Sequence, residues 1–216
     1  MIYMINTDKL NDDMLFEDYY KVMSAYRQNK IMKYKFRKDR NLSLGAGMLL
    51  DYGLKQYGLN ECNMRYAAGN NEKPYFADRP EIHFNISHSG TMVICSFANT
   101  EIGVDIEKIT SVDFDIARRF FCTSEYEYIL SQTSDMGRKE AFFRIWVLKE
   151  SFMKITGLGM SLLTDSFEII PGDNITVKHS VDDQIYNFKE YKTDEYRIAV
   201  CSTMAEFGES IEIVKY

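Results

Sequence analysis

With 216 residues, 45% hydrophobic and 27% charged, the chain has a globular composition and enough length for one large domain or two small ones. No apolar run is long enough to span a membrane, since Arg144 interrupts the best one; Met1–Asp13 lacks the basic start and apolar stretch of a secretory signal. Four scattered cysteines without a CxxC pair read as reduced thiols, so a cytoplasmic protein is expected.

The net charge of −6 is unevenly spread. Between residues 27 and 40, Arg27, Lys30, Lys33, Lys35, Arg37, Lys38 and Arg40 face only Asp39. Such an island is either a solvated helix face or a site for a compact anion, and it is too confined for a nucleic acid track.

In chain order, residues 1–6 alternate like a strand and 12–26 have helical spacing. The basic stretch runs into a helix over 43–57, where Leu44, Met48, Leu49, Leu50 and Leu54 share a face and Gly45, Ala46 and Gly47 allow close packing. Residues 69–74 have loop chemistry. Ile82, Phe84 and Ile86, then Ser87-His88-Ser89-Gly90, then Val93, Cys95 and Phe97 read as two strands about a turn. Hydroxyls, backbone N–H groups and an imidazole on a tight turn can hold a phosphate, although a lone histidine is as readily structural. Lys73, just before Pro74, adds a fixed cation nearby.

Residues 102–107 form a strand with Ile102, Val104 and Ile106 on one face and Asp105 and Glu107 on the other. Two residues along a strand span about 6.6 Å, so both carboxylates can reach one ion. An all-oxygen donor set suits Mg²⁺, with Mn²⁺ as a substitute. Gly103 is expected to clear room for a ligand. Residues 113–130 suggest two short helices broken at 122–125, with Thr123 or Ser124 as N-cap and Glu125 in the first turn. If that helix start faces a cleft, Glu125 is a candidate base.

The stretch 142–159, FFRIWVLKESFMKITGLG, is a helix apolar on two sides. Ile145, Leu148, Phe152 and Ile155 form one stripe; Phe143, Trp146 and Val147 share the other with Glu150 and Lys154. A Glu followed four residues later by Lys is either a surface ion pair or part of a site. Gly157 and Gly159 supply a stop. Beyond it, alternation at 167–169, 185–188, 196–200 and 211–214 predicts strands closing the second half.

Lys73-Pro74, FNISHSG (84–90), GVDIE (103–107), FFCTSEY (120–126) and WVLKESFMKITGLG (146–159) occur in this order. Together they resemble the 4′-phosphopantetheinyl transferases, in particular the longer, surfactin-synthetase-activating type, over residues 27–162. The resemblance implies an α/β (α+β) monomer with two lobes related by a pseudo-twofold axis, each a small, mostly antiparallel sheet packed on helices. The halves would be 1–102 and 103–216, with coenzyme A between them. The implied reaction moves the phosphopantetheine arm of coenzyme A to a serine of an apo peptidyl or acyl carrier protein, leaving adenosine 3′,5′-bisphosphate.

By the same resemblance, Asp105, Glu107 and Glu150 would hold Mg²⁺. Lys154 would reach the phosphates, with Lys149 assisting, and Glu125 would be the base. Arg27, Lys30 and His88 would pair with the 3′-phosphate, and Ser43, Lys73, Pro74 and Ser87 would line the nucleotide. An acidic carrier would dock on Arg118 and Arg119, beside Phe120 or Phe121. Neither nucleic acid nor membrane is an expected partner. Three positions depart from the family pattern: Arg27 replaces a lysine, Glu72 replaces a glycine, and Thr110 replaces a frequent lysine. A metal-dependent nuclease would need a longer basic groove. A non-catalytic coenzyme A- or carrier-binding module would be expected to have lost one of the three carboxylates, and all are present.

Overall fold

The computed structural model describes residues 1–69, 71 and 73–216; Glu72 and Asn70 of the expected loop lie outside the described residues. The chain forms two units, 1–99 with 208–216, and 100–207. The first runs β1 (Ile2–Asn6), α1 (Asp13–Lys21), α2 (Ala25–Met32), α3 (Arg37–Lys55), β2 (Tyr66–Ala68), β3 (Pro74–Phe76), β4 (His83–Ser89) and β5 (Met92–Ala98). The second continues with β6 (Ile102–Lys108), α4 (Asp115–Phe120), α5 (Thr123–Leu130), α6 (Asp135–Thr156), β7 (Glu168–Ile170), β8 (Thr176–Lys178), β9 (Asn187–Lys192) and β10 (Tyr196–Ser202). The chain then returns to the first unit through β11 (Glu212–Ile213), which pairs parallel with β1.

That return corrects the expected division. The unit changes at Asn99/Thr100 instead of 102/103, and the last strand joins the first half, not the second. Two residues of alternation do not say which sheet edge they will meet.

The first unit's sheet has the order β11-β1-β5-β4, antiparallel except for its β11 edge. Helix α3 lies against it where glycines remove the side chains that would hold it off. A Cβ on Gly45 would sit 2.6 Å from Thr7 Cγ2, and one on Gly53 would meet the Phe97 ring at 2.2 Å. Leu44, Leu49, Leu50 and Leu54 are fully buried on this helix.

The expected single helix over 12–26 stops at Lys21 because Ser24 starts a new one. Its Oγ accepts the Arg27 N–H at 3.1 Å and caps α2. Helix α3 begins at Arg37, earlier than the apolar spacing indicated. The Arg37 guanidinium donates to Asp13 Oδ1, Leu10 O and Asn41 Oδ1 and lies 4.2 Å from the Phe16 ring centroid. One cation of the basic island is therefore structural.

The second unit repeats the plan with an antiparallel sheet, β6-β10-β9, against α6. Ile145, Leu148 and Phe152 are fully buried, as the helical spacing indicated. Arg144 ties α6 to β9 by donating to both Glu190 oxygens, and it also donates to Tyr128 Oη. Gly157 ends the helix at φ +67°, the left-handed conformation that glycine adopts without strain.

Burial holds three tyrosine phenols in the neutral form: Tyr3, helped by the Glu212 charge, Tyr191 and Tyr216 are all pushed up to about 12. A folded-state pKa above the unfolded value of about 10 contributes stability that is complete below pH 10. It is lost as pH rises through 12. Urea midpoints are thus expected to fall between pH 10 and 12, in step with tyrosinate absorbance; a flat midpoint across that window would contradict it.

Candidate functional site

In the first unit, six of the seven expected nucleotide-side residues line one cavity of about 230 Å³: Arg27, Lys30, Ser43, Lys73, Pro74 and His88. Helix α2 supplies Arg27 and Lys30 at i and i+3, so both fall on one face. Helix α3 supplies Ser43, and β4 supplies His88.

Ser87 is the exception. Ser87, His88 and Ser89 belong to β4 itself, and the turn is Gly90-Thr91 with Gly90 at φ +63°. Side chains therefore alternate, and Ser87 points to the opposite face from His88. The reading of all these groups on one turn is corrected.

The cavity is built for an anion. Arg27 is 3% exposed, and among the described residues its Nε has no hydrogen-bond partner; neither has the buried Ser43 Oγ. Burial lowers the Lys30 pKa, and the neighbouring Arg27 and Lys33 charges lower it further. Crowded, partly desolvated cations with open donors are stabilised by a polyanion. Tyr26, Tyr34 and Asp39 also line the cavity. Tyr34 continues the helical spacing of Arg27 and Lys30, but reading the island for charge alone passed over it.

In the second unit, Asp105 and Glu107 lie on the face of β6 that carries Gly103. A Cβ on Gly103 would sit 2.0 Å from Ser151 O and 2.7 Å from Ile155 N. The glycine therefore makes room for the α6 backbone, not for a ligand, which corrects that expectation. The close approach brings α6 side chains to β6. Lys154 Nζ donates to Asp105 Oδ1 at 2.6 Å and to Val104 O at 3.2 Å. Lys154 thus reaches across to the strand, beyond a simple pairing along its own helix.

Glu150 is half-buried, and its carboxyl is pushed up by burial and then by the Asp105 charge, against the opposing pull of Lys154. A carboxyl whose ionisation is opposed by a neighbouring carboxylate belongs to an oxygen-rich environment that a hard divalent cation would relieve. Asp105, Glu107 and Glu150 have the donor chemistry for Mg²⁺. Among the described residues, though, no three acidic, histidine or cysteine side chains are already gathered around a metal position.

Glu125 and Lys149 are placed elsewhere. Each is 1% exposed, and they pair at 2.8 Å. Glu125 Oε2 accepts the Cys122 N–H at 2.8 Å, and Oε1 accepts the Ile169 N–H at 2.6 Å. Lys149 Nζ also donates to Thr164 O and Phe167 O and lies 4.2 Å from the Phe167 ring centroid. Cys122, not Thr123 or Ser124, is the N-cap residue of α5. The base role expected of Glu125 needs a carboxylate open to a substrate hydroxyl; this one is sealed, with both oxygens held. Lys149 likewise faces the interior instead of assisting at phosphates.

On α4, Arg118 and Arg119 are exposed and Phe120 is 51% exposed, whereas Phe121 is buried. Among the described residues, no helix is long and apolar enough to cross a membrane.

The pattern of the 4′-phosphopantetheinyl transferase superfamily matches residues 101–201, and that of the 4′-phosphopantetheinyl transferase N-terminal region matches 12–100. The chain is 34% identical over 220 residues to 4′-phosphopantetheinyl transferase Sfp of Bacillus subtilis strain 168, covering 100% of this chain and 97% of that protein. It is 35% identical to the 4′-phosphopantetheinyl transferase ffp of Bacillus subtilis, covering 90% of this chain and 88% of the relative. A solved holo-(acyl-carrier-protein) synthase from Bacillus anthracis, described in complex with CoA, is similar at 16% identity and TM-score 0.41, over 47% of this chain and 93% of that one.

Proposed function

Because the chain belongs to the 4′-phosphopantetheinyl transferase family, we propose that it moves the phosphopantetheine arm of coenzyme A onto a serine of apo carrier proteins. The observation that carries this reading is the first unit's cavity, where separate segments bring Arg27, Lys30, Ser43, Lys73 and His88 together. Among the described residues, the buried Arg27 Nε and Ser43 Oγ stand without hydrogen-bond partners. The 3′-phosphate of coenzyme A is a compact dianion of the kind such donors accept, and arginine gives it directional hydrogen bonds.

The second unit would work on the pyrophosphate. Asp105, Glu107 and Glu150 would hold Mg²⁺, which when bound neutralises phosphate charge and polarises phosphoryl oxygens. Lys154, already held at Asp105, is the cation this chain offers to the leaving phosphate. With Glu125 sealed inside, the serine proton would pass, directly or through one water, to one of these carboxylates. Exposed Arg118, Arg119 and Phe120 on α4 offer an acidic carrier a cationic, partly apolar landing. The four cysteines are free thiols, which suits a reducing, cytoplasmic setting; from the family resemblance we take the working form to be a monomer.

The test is intact-protein mass spectrometry of an apo peptidyl carrier and an apo acyl carrier incubated with coenzyme A and Mg²⁺. The protein should add one phosphopantetheine arm to at least one carrier, and its Glu150→Ala variant should add none. Without transfer by the unsubstituted protein, the enzymatic reading fails. Transfer that survives in Glu150→Ala removes Glu150 from the site.

A further inference from the structure

The cavity in the first unit has a support that no part of the proposed reaction touches. Glu61 opens a short 3-10 turn after α3 and is fully buried. A buried carboxylate must be paired and hydrogen-bonded. Its Oε2 accepts the Ser24 N–H at 2.7 Å; its Oε1 accepts the Ser24 hydroxyl at 2.7 Å and the Tyr66 hydroxyl at 2.8 Å. Its own N–H donates to Asp51 Oδ1 on α3 at 3.0 Å. Glu61 therefore joins α3, the N-cap of α2 and β2.

Arg27 lies at the focus of these ties. Ser24, bound twice by Glu61, also accepts the Arg27 N–H. Arg27 Nε stands 3.9 Å from Glu61 Oε1, near enough for charge attraction yet beyond a hydrogen bond. The guanidinium carbon is 5.7 Å from the Tyr66 ring centroid, and Tyr66 stacks on Tyr26 with centroids 4.4 Å apart. Gly47 of α3 leaves the groove for the arginine stem, since a Cβ there would come within 3.0 Å of Arg27 Cγ. Charge, ring and groove hold the side chain, while its Nε keeps an open donor.

We propose that Glu61 is a positioning residue for the 3′-phosphate of coenzyme A. It acts through Ser24 and Arg27, holding the guanidinium at the cavity by charge while leaving donor capacity for the ligand. The inference rests on the proposed reading of that cavity. A carboxylate suits the position because all three groups hydrogen-bonded to its oxygens are donors; a glutamine amide would turn its NH₂ against one of them.

The experiment compares coenzyme A with dephospho-coenzyme A as substrates for Glu61→Gln, Ser24→Ala, Arg27→Ala and the Glu61→Gln/Arg27→Ala pair, with thermal midpoints recorded in parallel. Glu61→Gln is expected to raise KM for coenzyme A about tenfold, the scale of one charge-assisted hydrogen bond. KM for dephospho-coenzyme A and kcat at saturation should hold. Ser24→Ala should likewise lower the ratio of the dephospho-coenzyme A KM to the coenzyme A KM, which keeps the test open if Glu61→Gln folds poorly. In the Arg27→Ala background, Glu61→Gln should add nothing to the ratio. If Arg27→Ala lowers the ratio but Glu61→Gln and Ser24→Ala change only the thermal midpoint, or if the two losses add, the positioning role is overturned and the cavity reading stands. If Arg27→Ala leaves the ratio unchanged, both fall.

Discussion

Replacing Gly103 by alanine is expected to destabilise the second unit by about 3 kcal/mol, at the upper end of ordinary overpacking. The new Cβ would lie 2.0 Å from a main-chain carbonyl and 2.7 Å from a main-chain nitrogen of α6. Neither can swing aside as a side chain would, so the helix must move off the strand. Glu150 and Lys154 ride on that helix, with Asp105 on the strand. A displacement of about 1 Å at a phosphoryl-transfer site costs on the order of a hundredfold in rate. The thermal midpoint should fall by about 10 °C. Transfer should drop even at temperatures where circular dichroism shows the variant folded. Alanine at 103 with unaltered melting and turnover would show that β6 and α6 are not in backbone contact.

The second large effect concerns the sealed pair. Removing Glu125 alone strands the Lys149 ammonium at 1% exposure, and breaking a buried pair from one side costs about 3–5 kcal/mol. Burial pushes the Glu125 carboxyl up and the Lys149 ammonium down, while their mutual attraction opposes both shifts. Raising a carboxyl above its unfolded value makes the folded state hold that proton more tightly. Its contribution is therefore complete at low pH and lost as pH rises through the folded value. Burying two charges costs desolvation, so an apolar replacement of both partners removes the stranded charge but leaves the Cys122 and Ile169 N–H groups and the Thr164 and Phe167 carbonyls without those partners.

Glu125→Ala is accordingly expected to unfold at much lower urea, and the Glu125→Leu/Lys149→Met double variant to recover part of the loss with kcat preserved. A base at position 125 would behave in the opposite way. Its removal would lower kcat by about 10²- to 10⁴-fold in the double variant too, however well that variant folded.

Much of this protein could be read along one dimension. The helical spacing of Ile145, Leu148, Phe152 and Ile155, the alternation of Ile102, Val104 and Ile106 against Asp105 and Glu107, and the left-handed stop at Gly157 are local properties of neighbouring residues. All of them reappear in the structure. So do Arg27 and Lys30 on one helical face, and the order of motifs that pointed to the family. Residue type and period set these features, and neither depends on what lies across the fold.

Only the tertiary structure decided which partner each group meets. Lys154 could have paired along its helix with Glu150; it reaches Asp105 because Gly103 lets the strand come within backbone distance. Glu125 had the residue type of a base, but its burial depends on Lys149 and the Ile169 N–H, groups 24 and 44 residues away. Ser87 and His88 looked equivalent until strand pairing gave them opposite faces. Glu61 carried no local signal, because its meaning comes from Ser24 and Tyr66. Burial and long-range pairing arise when distant segments exclude water together, and no window of neighbouring residues contains that information.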